Sequence, residues 1–375
     1  MLALVKRSLT AATVLLSAAT LSAPVYADSD RAVNKVEGSL SVMVLGSGGP
    51  MAVSNGRASA GYLIFTDGKP RILMDVGGGT FKSLAMSGTV MPNLDTILLS
   101  HLHIDHTADL SAMIKTIYFH ARGAGIARTA AINIYGPDVG GPNNYFKDAN
   151  GDLTTVHQYP STTEYANDHY AMPNGAERYL YVFAPAIDTT PAGAHGAFKW
   201  TATDLPSAPV VPPAGPGLPP TPAAVHTVLS TADGLVIKSI GVIHGPVPAV
   251  GYRIEYKGHS IVYSGDTSSR TVNMITLAQG ADILIYDTSI MDVAPSPVFQ
   301  ALHTTPMRMG QVAAAAGVKT LVLSHITPIT EPNLTAIKAE IRAQGFTGHI
   351  RATRDLKVYN LDDSVDPYSY DHDGD

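Results

Sequence analysis

A dense group of potential metal ligands lies at residues 100–106, where the sequence reads Ser-His-Leu-His-Ile-Asp-His. The group directly follows an apolar segment that predicts a buried strand. On an extended loop, residues two apart project to the same side, so His101 and His103 can bind one ion while Asp105 and His106 are offset toward another. Four ligands within six residues are too crowded for one tetrahedral ion with an open position. The spacing therefore predicts two neighbouring metal ions.

The composition restricts the identity of that metal. The 375-residue chain contains 14 histidines and no cysteine. The absence of cysteine excludes thiol nucleophiles, zinc-thiolate sites, iron-sulfur clusters and disulfides. Any metal must therefore be bound by nitrogen and oxygen ligands. This donor set predicts two Zn²⁺ ions per chain, with manganese or iron as the alternatives.

The charge balance bears on the partners of the chain. There are 25 Lys and Arg residues against 31 Asp and Glu residues, which gives a formal charge of -6, and no basic run stands out. Such a field does not attract a polyanion. The sequence thus disfavours a nucleic acid relative to a small molecule as the partner, and it leaves an oligomer open.

The first residues have the features of a targeting segment. Two basic residues precede a small and apolar stretch from Leu9 to Leu21, and Val25-Tyr26-Ala27 has the small-x-Ala pattern of a cleavage site. The stretch is too short to span a bilayer, which takes about 20 apolar residues. We predict a signal peptide at 1–27, a periplasmic or secreted mature chain, and no membrane span after cleavage. A short anchor or an ordinary first helix is the alternative.

The order of the predicted elements indicates the fold class. Strand patterns separated by glycine-rich turns occupy residues 40–76, and helical spacing follows at 108–120. Strand patterns resume at residue 235 and then alternate with helices, including helices at about 305–316 and 333–343. This order predicts two sheet-plus-helix halves rather than a doubly wound parallel sheet.

The segment from about 138 to 234 differs from the rest of the chain. Nine of the 26 prolines lie between Pro191 and Pro222, and periodicity is weak. Such a composition favours extended conformations and loops. We predict a Pro/Gly-rich insertion within one domain at 28–361, followed by an acidic flexible tail at 362–375.

The motif His-x-His-x-Asp-His resembles the signature of the metallo-β-lactamase superfamily, whose α/β fold is an αββα sandwich of two β-sheets flanked by helices. Three further superfamily motifs have counterparts in this sequence. His244 stands directly before Gly-Pro, Asp266 lies in Ser-Gly-Asp-Thr, and His325 follows a late predicted strand. The resemblance implies that Asp266 bridges two ions. It also implies that the first ion is bound by His101, His103 and His244. The second ion would be bound by Asp105, His106 and His325.

Two residues indicate the branch of the superfamily. Typical class B β-lactamases lack an aspartate at the position of Asp266. His303, in Leu-His-Thr-Thr-Pro, resembles the His-Thr/Ser-Thr step before a helix in ribonuclease Z and its relatives, which include zinc-dependent arylsulfatases and cyclic-nucleotide phosphodiesterases. The resemblance implies that His303 opens a helix and protonates the leaving oxygen. Asp287 stands where those relatives often carry the longer Glu, so its reach to His303 is left open.

These features predict an exported dinuclear zinc hydrolase of the ribonuclease Z-like branch. A hydroxide shared by the two ions is expected to attack a small phosphodiester or sulfate ester, with His303, Asp105 and Asp266 as the catalytic residues. One alternative is a lactonase or β-lactamase-type acyl hydrolase. The other is a metal-dependent binding protein without turnover.

Three further patterns carry expectations about the site. The run Gly46-Ser47-Gly48-Gly49 is expected to let the backbone pass close to the metals. Asp75, before three glycines, predicts either a hydrogen bond to a ligand imidazole or a simple turn. The segments 98–101 and 322–325 share the pattern apolar-Leu-Ser-His. This echo predicts two similar halves that each contribute ligands at a sheet edge.

Overall fold

The computed structural model describes the following residues: 35–128, 130–140, 145–147, 153–155, 159–172, 174–180, 199–211, 221–293 and 296–362. The predicted signal peptide at 1–27 lies outside them, as do the predicted tail beyond residue 362 and parts of the predicted insertion. The domain boundaries proposed from the sequence therefore stay predictions.

The first sheet has seven strands. They are β1 (Leu40–Gly46), β2 (Gly61–Thr66), β3 (Lys69–Val76), β4 (Thr96–Leu98), β5 (Ile132–Pro137), β8 (Trp200–Leu205) and β18 (Val358–Leu361). Their order across the sheet is β18-β1-β2-β3-β4-β5-β8. Pairing is antiparallel from β18 to β3 and parallel from β3 to β8.

The second sheet repeats this pattern. Its strands are β11 (His226–Ser230), β12 (Val236–His244), β13 (Val247–Tyr256), β14 (His259–Tyr263), β15 (Ile283–Asp287), β16 (Thr320–Ser324) and β17 (His349–Ala352). They lie in chain order, antiparallel from β11 to β14 and parallel from β14 to β17. Two two-stranded antiparallel sheets pair β6 (Tyr145–Lys147) with β7 (Leu153–Thr155) and β9 (Val210–Val211) with β10 (Thr221–Pro222). The prediction of two similar sheet-containing halves is confirmed.

Helices cover the outer faces of the sheets. They are α1 (Thr80–Ser87), α2 (Ile104–Thr107), α3 (Leu110–Gly123), α4 (Thr162–His169), α5 (Glu177–Leu180), α6 (Asn273–Leu277), α7 (Pro297–Leu302), α8 (Pro306–Ala316) and α9 (Leu334–Ala343), with a 3₁₀ turn at Glu331–Asn333. Within the described ranges, none of these helices combines the length and the apolar composition that crossing a bilayer requires.

Strand alternation explains why the molecule has four layers. Along β2, Tyr62 and Ile64 face the core between the sheets, whereas Leu63 and Phe65 face the core under α1 and α3. Successive strand side chains point to opposite faces, so a strand that is apolar on both faces needs a partner layer on each side. A third core packs the second sheet against α6, α8 and α9. The predicted αββα sandwich is confirmed.

Local signals set several element ends. Residues Lys257 and Gly258 both have positive φ, and they join Tyr256 to His259 in a two-residue turn, as the sequence predicts for this hairpin. The expectation that His303 opens a helix is wrong. It ends α7 instead, and α8 begins at Pro306.

The reason for that boundary lies in the residues beside it. Thr305 has extended backbone, and its side chain accepts a hydrogen bond from the backbone N–H of Arg308. A hydroxyl cap followed by proline defines a helix start, because proline at the first position has no N–H to leave unsatisfied.

Among the described residues, eight regular elements lie in the segment for which the sequence favoured loops, namely the strands β6 to β11 and the helices α4 and α5. The edge strands β8 and β11 extend the first and second sheets, and α4 begins with a capping box between Ser161 and Glu164. Only the ends of β8 are buried, so its burial has no clear period of two. A short element of this kind is stabilised by its neighbours more than by its own pattern.

We predict that Gly77→Ala destabilises the fold while Gly78→Ala does not. A Cβ at Gly77 would lie 2.0 Å from the backbone oxygen of Asp105, whereas a Cβ at Gly78 would meet only the Cβ of Ala108, at 3.7 Å. Backbone cannot move aside easily, so Gly77→Ala should lower the free energy of unfolding by about 3 kcal/mol, and Gly78→Ala should change it by less than about 0.5 kcal/mol. Urea unfolding midpoints of the two variants measure this difference. Equal midpoints would contradict the close approach.

Candidate metal centre

The predicted ligands meet where chain segments leave the two sheets. His101 follows β4, His244 ends β12, Asp266 follows β14 and His325 follows β16. Loops at strand ends are free of ladder hydrogen bonds, so they can present side chains to one shared point. The structure brings all seven sequence-predicted ligands to this place.

The first cluster consists of three histidines, His101, His103 and His244. The Nδ1 atom of His103 lies 3.0 Å from Nε2 of His101 and 3.2 Å from Nε2 of His244. Nitrogen ligands of a tetrahedral Zn²⁺ at bond lengths of about 2.0–2.1 Å are about 3.3 Å apart. The three nitrogens therefore have nearly the spacing that one ion requires.

The second cluster consists of Asp105, His106, Asp266 and His325, all of which are buried. Nε2 of His325 lies 3.3 Å from Nε2 of His106, 3.2 Å from Oδ2 of Asp105 and 3.3 Å from Oδ2 of Asp266. Two imidazoles and two carboxylates make up a nitrogen and oxygen donor set suited to a divalent ion.

Asp266 faces both clusters. Its Oδ2 atom lies 4.0 Å from Nε2 of His101 and 4.0 Å from Nε2 of His244, in addition to its contact with His325. Its Oδ1 atom is buried, has no hydrogen-bond partner in the part of the chain that the structure describes, and lies 3.5 Å from Nε2 of His106. A buried carboxylate oxygen without a partner is costly unless a cation compensates it. The residues present thus fit a pair of metal ions.

Outer contacts fix the orientation of four ligand rings. A second nitrogen of each ring contacts a neighbouring oxygen atom, as follows: His101 with Ser100 Oγ at 3.1 Å, His106 with Asp75 Oδ2 at 2.7 Å, His244 with the Leu302 carbonyl at 2.8 Å, and His325 with Ser289 Oγ at 2.6 Å. In each ring this leaves Nε2 directed toward its cluster. Such partners hold the tautomer and the ring angle of a metal ligand.

Asp75 lies near the end of β3 and is an outer partner of a ligand ring. It has a φ of 52°, and Oδ2 contacts Nδ1 of His106. The backbone N–H of Ser100 donates to Oδ1 at 2.7 Å, and the hydroxyl of Tyr263 donates to Oδ2 at 2.8 Å. Of the two expectations for Asp75, the hydrogen bond to a ligand imidazole is thus present in the structure.

His303 lies beside the clusters and is held by Asp287. Its Nδ1 atom lies 2.8 Å from Oδ2 of Asp287 and 3.9 Å from Oδ2 of Asp266. The shorter carboxylate does reach the imidazole. Burial lowers the pKa of His303, but the charge of Asp287, the hydrogen bond to it and the charge of Asp266 together raise that pKa to about 9. The ring therefore carries a proton at neutral pH.

The other histidines divide into two electrostatic groups. Burial holds the pKa of His101 well below its usual value and lowers the pKa of His244 to about 4, so both are neutral, which is the form that binds a metal. Burial also lowers the pKa of His106, but the charges of Asp266 and Asp105 outweigh it and raise that pKa well above its usual value. Only the second cluster contains carboxylates, and their charges favour the protonated form of His106.

The first glycine-rich run passes against the site, as the sequence predicts. A Cβ at Gly49 would lie 2.8 Å from Cε1 of His325. The backbone amide of Ile326, next along the chain, donates to the carbonyl of Ser47 at 2.8 Å. Only a residue without a side chain allows this approach.

The structure corrects the predicted conformation of the first motif and adds two partners of ligand rings. Asp105 and His106 lie on the short helix α2 rather than on an extended loop, and the helical turn produces the offset that the sequence analysis ascribed to strand-like alternation. Sequence reasoning also missed Ser289 and the carbonyl of Leu302. Neither has a distinctive spacing, and a backbone carbonyl leaves no side-chain signal.

Two family models match the chain. One is described as a Beta-lactamase superfamily domain and matches residues 195–326. The other is described as Anti-Pycsar protein Apyc1 and matches residues 40–131. The first of these regions contains His244, Asp266 and His325. The second contains the His-x-His-x-Asp-His motif at residues 101–106.

Curated relatives and solved structures agree with these models. Ribonuclease Z of Mycobacterium avium is 26% identical over 330 residues, which cover 86% of this chain and 99% of that protein. Ribonuclease Z of Haloferax volcanii is 27% identical over 305 residues, which cover 77% of this chain and 85% of that protein. The structure of the short form of human tRNase Z has a TM-score of 0.55 at 20% identity and covers 85% of this chain and 98% of that one. A metallo-β-lactamase fold protein of Bacillus subtilis has a TM-score of 0.53 at 19% identity, covering 85% of this chain and 98% of that one.

We predict that the zinc-loaded chain retains two ions after gel filtration, as measured by elemental analysis. His101→Ala should lower the content to about one ion, because the second cluster keeps its four ligands. Asp266→Ala should weaken both ions, since its carboxylate faces both clusters. His226→Ala, at an exposed position on β11, is the matched control and should keep both ions. Full metal content in Asp266→Ala would show that this carboxylate is not shared.

Proposed function

Because the chain belongs to the metallo-β-lactamase superfamily and resembles its ribonuclease Z branch, we propose that it is a dinuclear metal-dependent hydrolase of small phosphodiesters. Zn²⁺ is the proposed ion, since the donor set combines imidazoles with carboxylates and the chain has no cysteine. Manganese and iron are the alternatives. The observation that carries the proposal is the position of Asp266 between two ligand clusters and beside His303.

The division of labour among the ligands follows from their positions. His101, His103 and His244 would hold one ion, and Asp105, His106 and His325 the other. When bound, two such ions supply Lewis acidity toward the ester oxygens and toward the attacking water. Asp266 would keep the two positions at a fixed separation, because its carboxylate faces both.

His303 would act on the leaving group. Asp287 engages Nδ1 of the ring, so Nε2 is the nitrogen available to donate a proton to the departing oxygen. The ion pair with Asp287 keeps the imidazole protonated and fixes its orientation. His303 is thus the proposed general acid, and Asp287 is its positioning residue.

The choice between a small ester and RNA depends on charge. The relatives named ribonuclease Z and tRNase Z favour phosphodiester chemistry and point toward RNA. The loops beside the clusters of this chain do not favour a polyanion. Lys and Arg are absent from residues 50–56, 102–104, 288–293, 296–302 and 326–333, and the same loops contain Asp292 and Glu331. Two arginines border these loops: Arg57 is paired with Glu331, and Arg270 donates to the carbonyl of Gln300. Phosphate contacts by cationic side chains dominate the affinity of proteins for nucleic acids, so these loops favour a smaller ester.

We predict that zinc-loaded protein hydrolyses a small phosphodiester with a higher kcat/KM than an aryl sulfate, a lactone, a β-lactam or a tRNA precursor with a 3′ extension. Steady-state kinetics on this panel separate the candidate functions. Fastest turnover of the aryl sulfate would identify a sulfatase, fastest turnover of a lactone or β-lactam would identify an acyl hydrolase, and fastest turnover of the precursor would identify an RNA-processing enzyme. Tight binding without turnover of any of them would indicate a binding protein.

We predict that His303→Ala is selective among phosphodiesters. For an alkyl diester, whose alkoxide leaves poorly without a proton, kcat should fall by about 10²–10⁴-fold. For a 4-nitrophenyl diester, whose phenolate leaves readily, the loss should be less than about tenfold. Asp287→Asn should show a weaker form of the same selectivity, and His226→Ala should show none. Equal losses on both diesters would remove His303 from proton transfer.

We propose further that the chain is exported, on the strength of its first residues. If so, the protein recovered from the periplasm or medium of bacteria that express the full chain should begin at or near Asp28, and mass spectrometry of the intact protein measures this. Recovery from the cytoplasm only, with Met1 or Leu2 as the first residue, would contradict export.

A further inference from the structure

Two tyrosines are buried side by side between the sheets, behind the second cluster. Tyr62 lies on β2 of the first sheet and Tyr263 ends β14 of the second. Their ring centroids are 4.9 Å apart, and both side chains are almost fully buried. We call these two residues the tyrosine pair.

Tyr263 reaches from the second half of the molecule into the first. Its hydroxyl donates to Oδ2 of Asp75 at 2.8 Å. The same oxygen lies 2.7 Å from Nδ1 of His106, a ligand in the second cluster. One carboxylate oxygen therefore joins Tyr263 to His106.

Tyr62 reaches in the opposite direction. Its hydroxyl forms a 2.6 Å hydrogen bond with the hydroxyl of Ser324, which is the last residue of β16. The next residue is His325, which adopts the left-handed conformation with a φ of 54°. Tyr62 thus holds the strand end at the point where the chain turns to present His325.

The two bonds cross the interface between the halves. His106 belongs to the first half and His325 to the second, yet their Nε2 atoms are only 3.3 Å apart. Their separation depends on how closely the sheets approach each other at this place. Tyr263 of the second half bonds to Asp75, which orients His106 of the first half. Tyr62 of the first half bonds to Ser324, which precedes His325 of the second half.

We propose that Tyr62 and Tyr263 are positioning residues that set the separation of His106 and His325, and thereby the affinity of the second cluster for its ion. This inference rests on the proposed function, because it requires a second bound ion. It also gives a role to the serines of the repeated apolar-Leu-Ser-His pattern. Ser324 bonds to Tyr62, and Ser100 donates to the oxygen of Asp75 that Tyr263 also contacts.

Removal of either hydroxyl tests the proposal. Tyr62→Phe and Tyr263→Phe are each made in two backgrounds, His101→Ala, which leaves the second cluster, and His325→Ala, which leaves the first. The Kd for Zn²⁺ is measured by chelator competition. In the first background we expect each substitution to raise the Kd by about 10–100-fold, as for other outer partners of metal ligands. In the second background we expect no change from Tyr62→Phe and a smaller rise from Tyr263→Phe, because Asp75 reaches His101 only through Ser100.

Tyr252→Phe is the matched control. Tyr252 is also buried, and its hydroxyl donates from the second half to the carbonyl of Leu99 in the first half at 2.8 Å. It contacts neither Asp75 nor Ser324 by a hydrogen bond within the described residues. Its loss should leave the Kd of the second cluster unchanged. An equal effect of Tyr252→Phe would mean that general loosening of the interface is responsible, and the proposal would be overturned.

Ser324→Ala removes the bond of Tyr62 from its other end. It should raise the Kd of the second cluster as Tyr62→Phe does, and the double variant should be no worse than either single one. If the two substitutions raised the Kd additively, Tyr62 and Ser324 would not act through one shared bond, and the proposal would be overturned. Thermal unfolding shows whether each variant is folded. If Tyr62→Phe does not fold, Ser324→Ala decides the outcome, because both substitutions remove the same bond. A wild-type chain that binds no second ion would refute the proposed function, whereas two ions with unaffected tyrosine variants would refute only this inference.

Discussion

The buried carboxylate of Asp266 imposes the main constraint on this structure. It lies among imidazoles from both halves of the chain, and its Oδ1 atom has no hydrogen-bond partner within the described residues. An anion in such a place is tolerated only when positive charge surrounds it. Burial raises the pKa of Asp266, yet the charges of His325 and His106 outweigh this and hold it well below its usual value. The same arrangement that stabilises the carboxylate also prepares a place for cations.

The fold meets this constraint by bringing loops from two sheets to one point. Each sheet combines antiparallel and parallel pairings in the same order, and the core between the sheets is apolar. A rigid, dry interface supports ligands that come from distant parts of the chain, because packed interiors do not deform continuously. Glycines matter where backbone must pass close to the site. Gly77 lies against the oxygen of Asp105, and Gly49 lies against the ring of His325.

Much of the architecture was predictable because its signals are local. Apolar runs bounded by glycines marked β1 to β3, and the hairpin turn at Lys257 and Gly258 followed from residue type. Other elements were not predictable in this way. The edge strands β8 and β11 lack a clear pattern of their own. The Ser-His echo also falls on strands that are not equivalent, since His101 follows the second strand of one parallel run and His325 follows the third strand of the other. The similar sequence at these two strand ends therefore reflects that each presents a ligand histidine. It does not follow from the symmetry of the two halves.

By itself, the sequence predicted how the first four ligands group, because neighbours in the chain have a separation that covalent geometry restricts. The prediction of His244, Asp266 and His325 as ligands rests on the resemblance of their motifs to those of a family. Only the tertiary structure decided that Asp287 reaches His303 and that Ser289 contacts His325. These contacts join residues of different loops, and their distances depend on how the sheets pack. Packing is a property of the whole chain, and no spacing between adjacent residues encodes it.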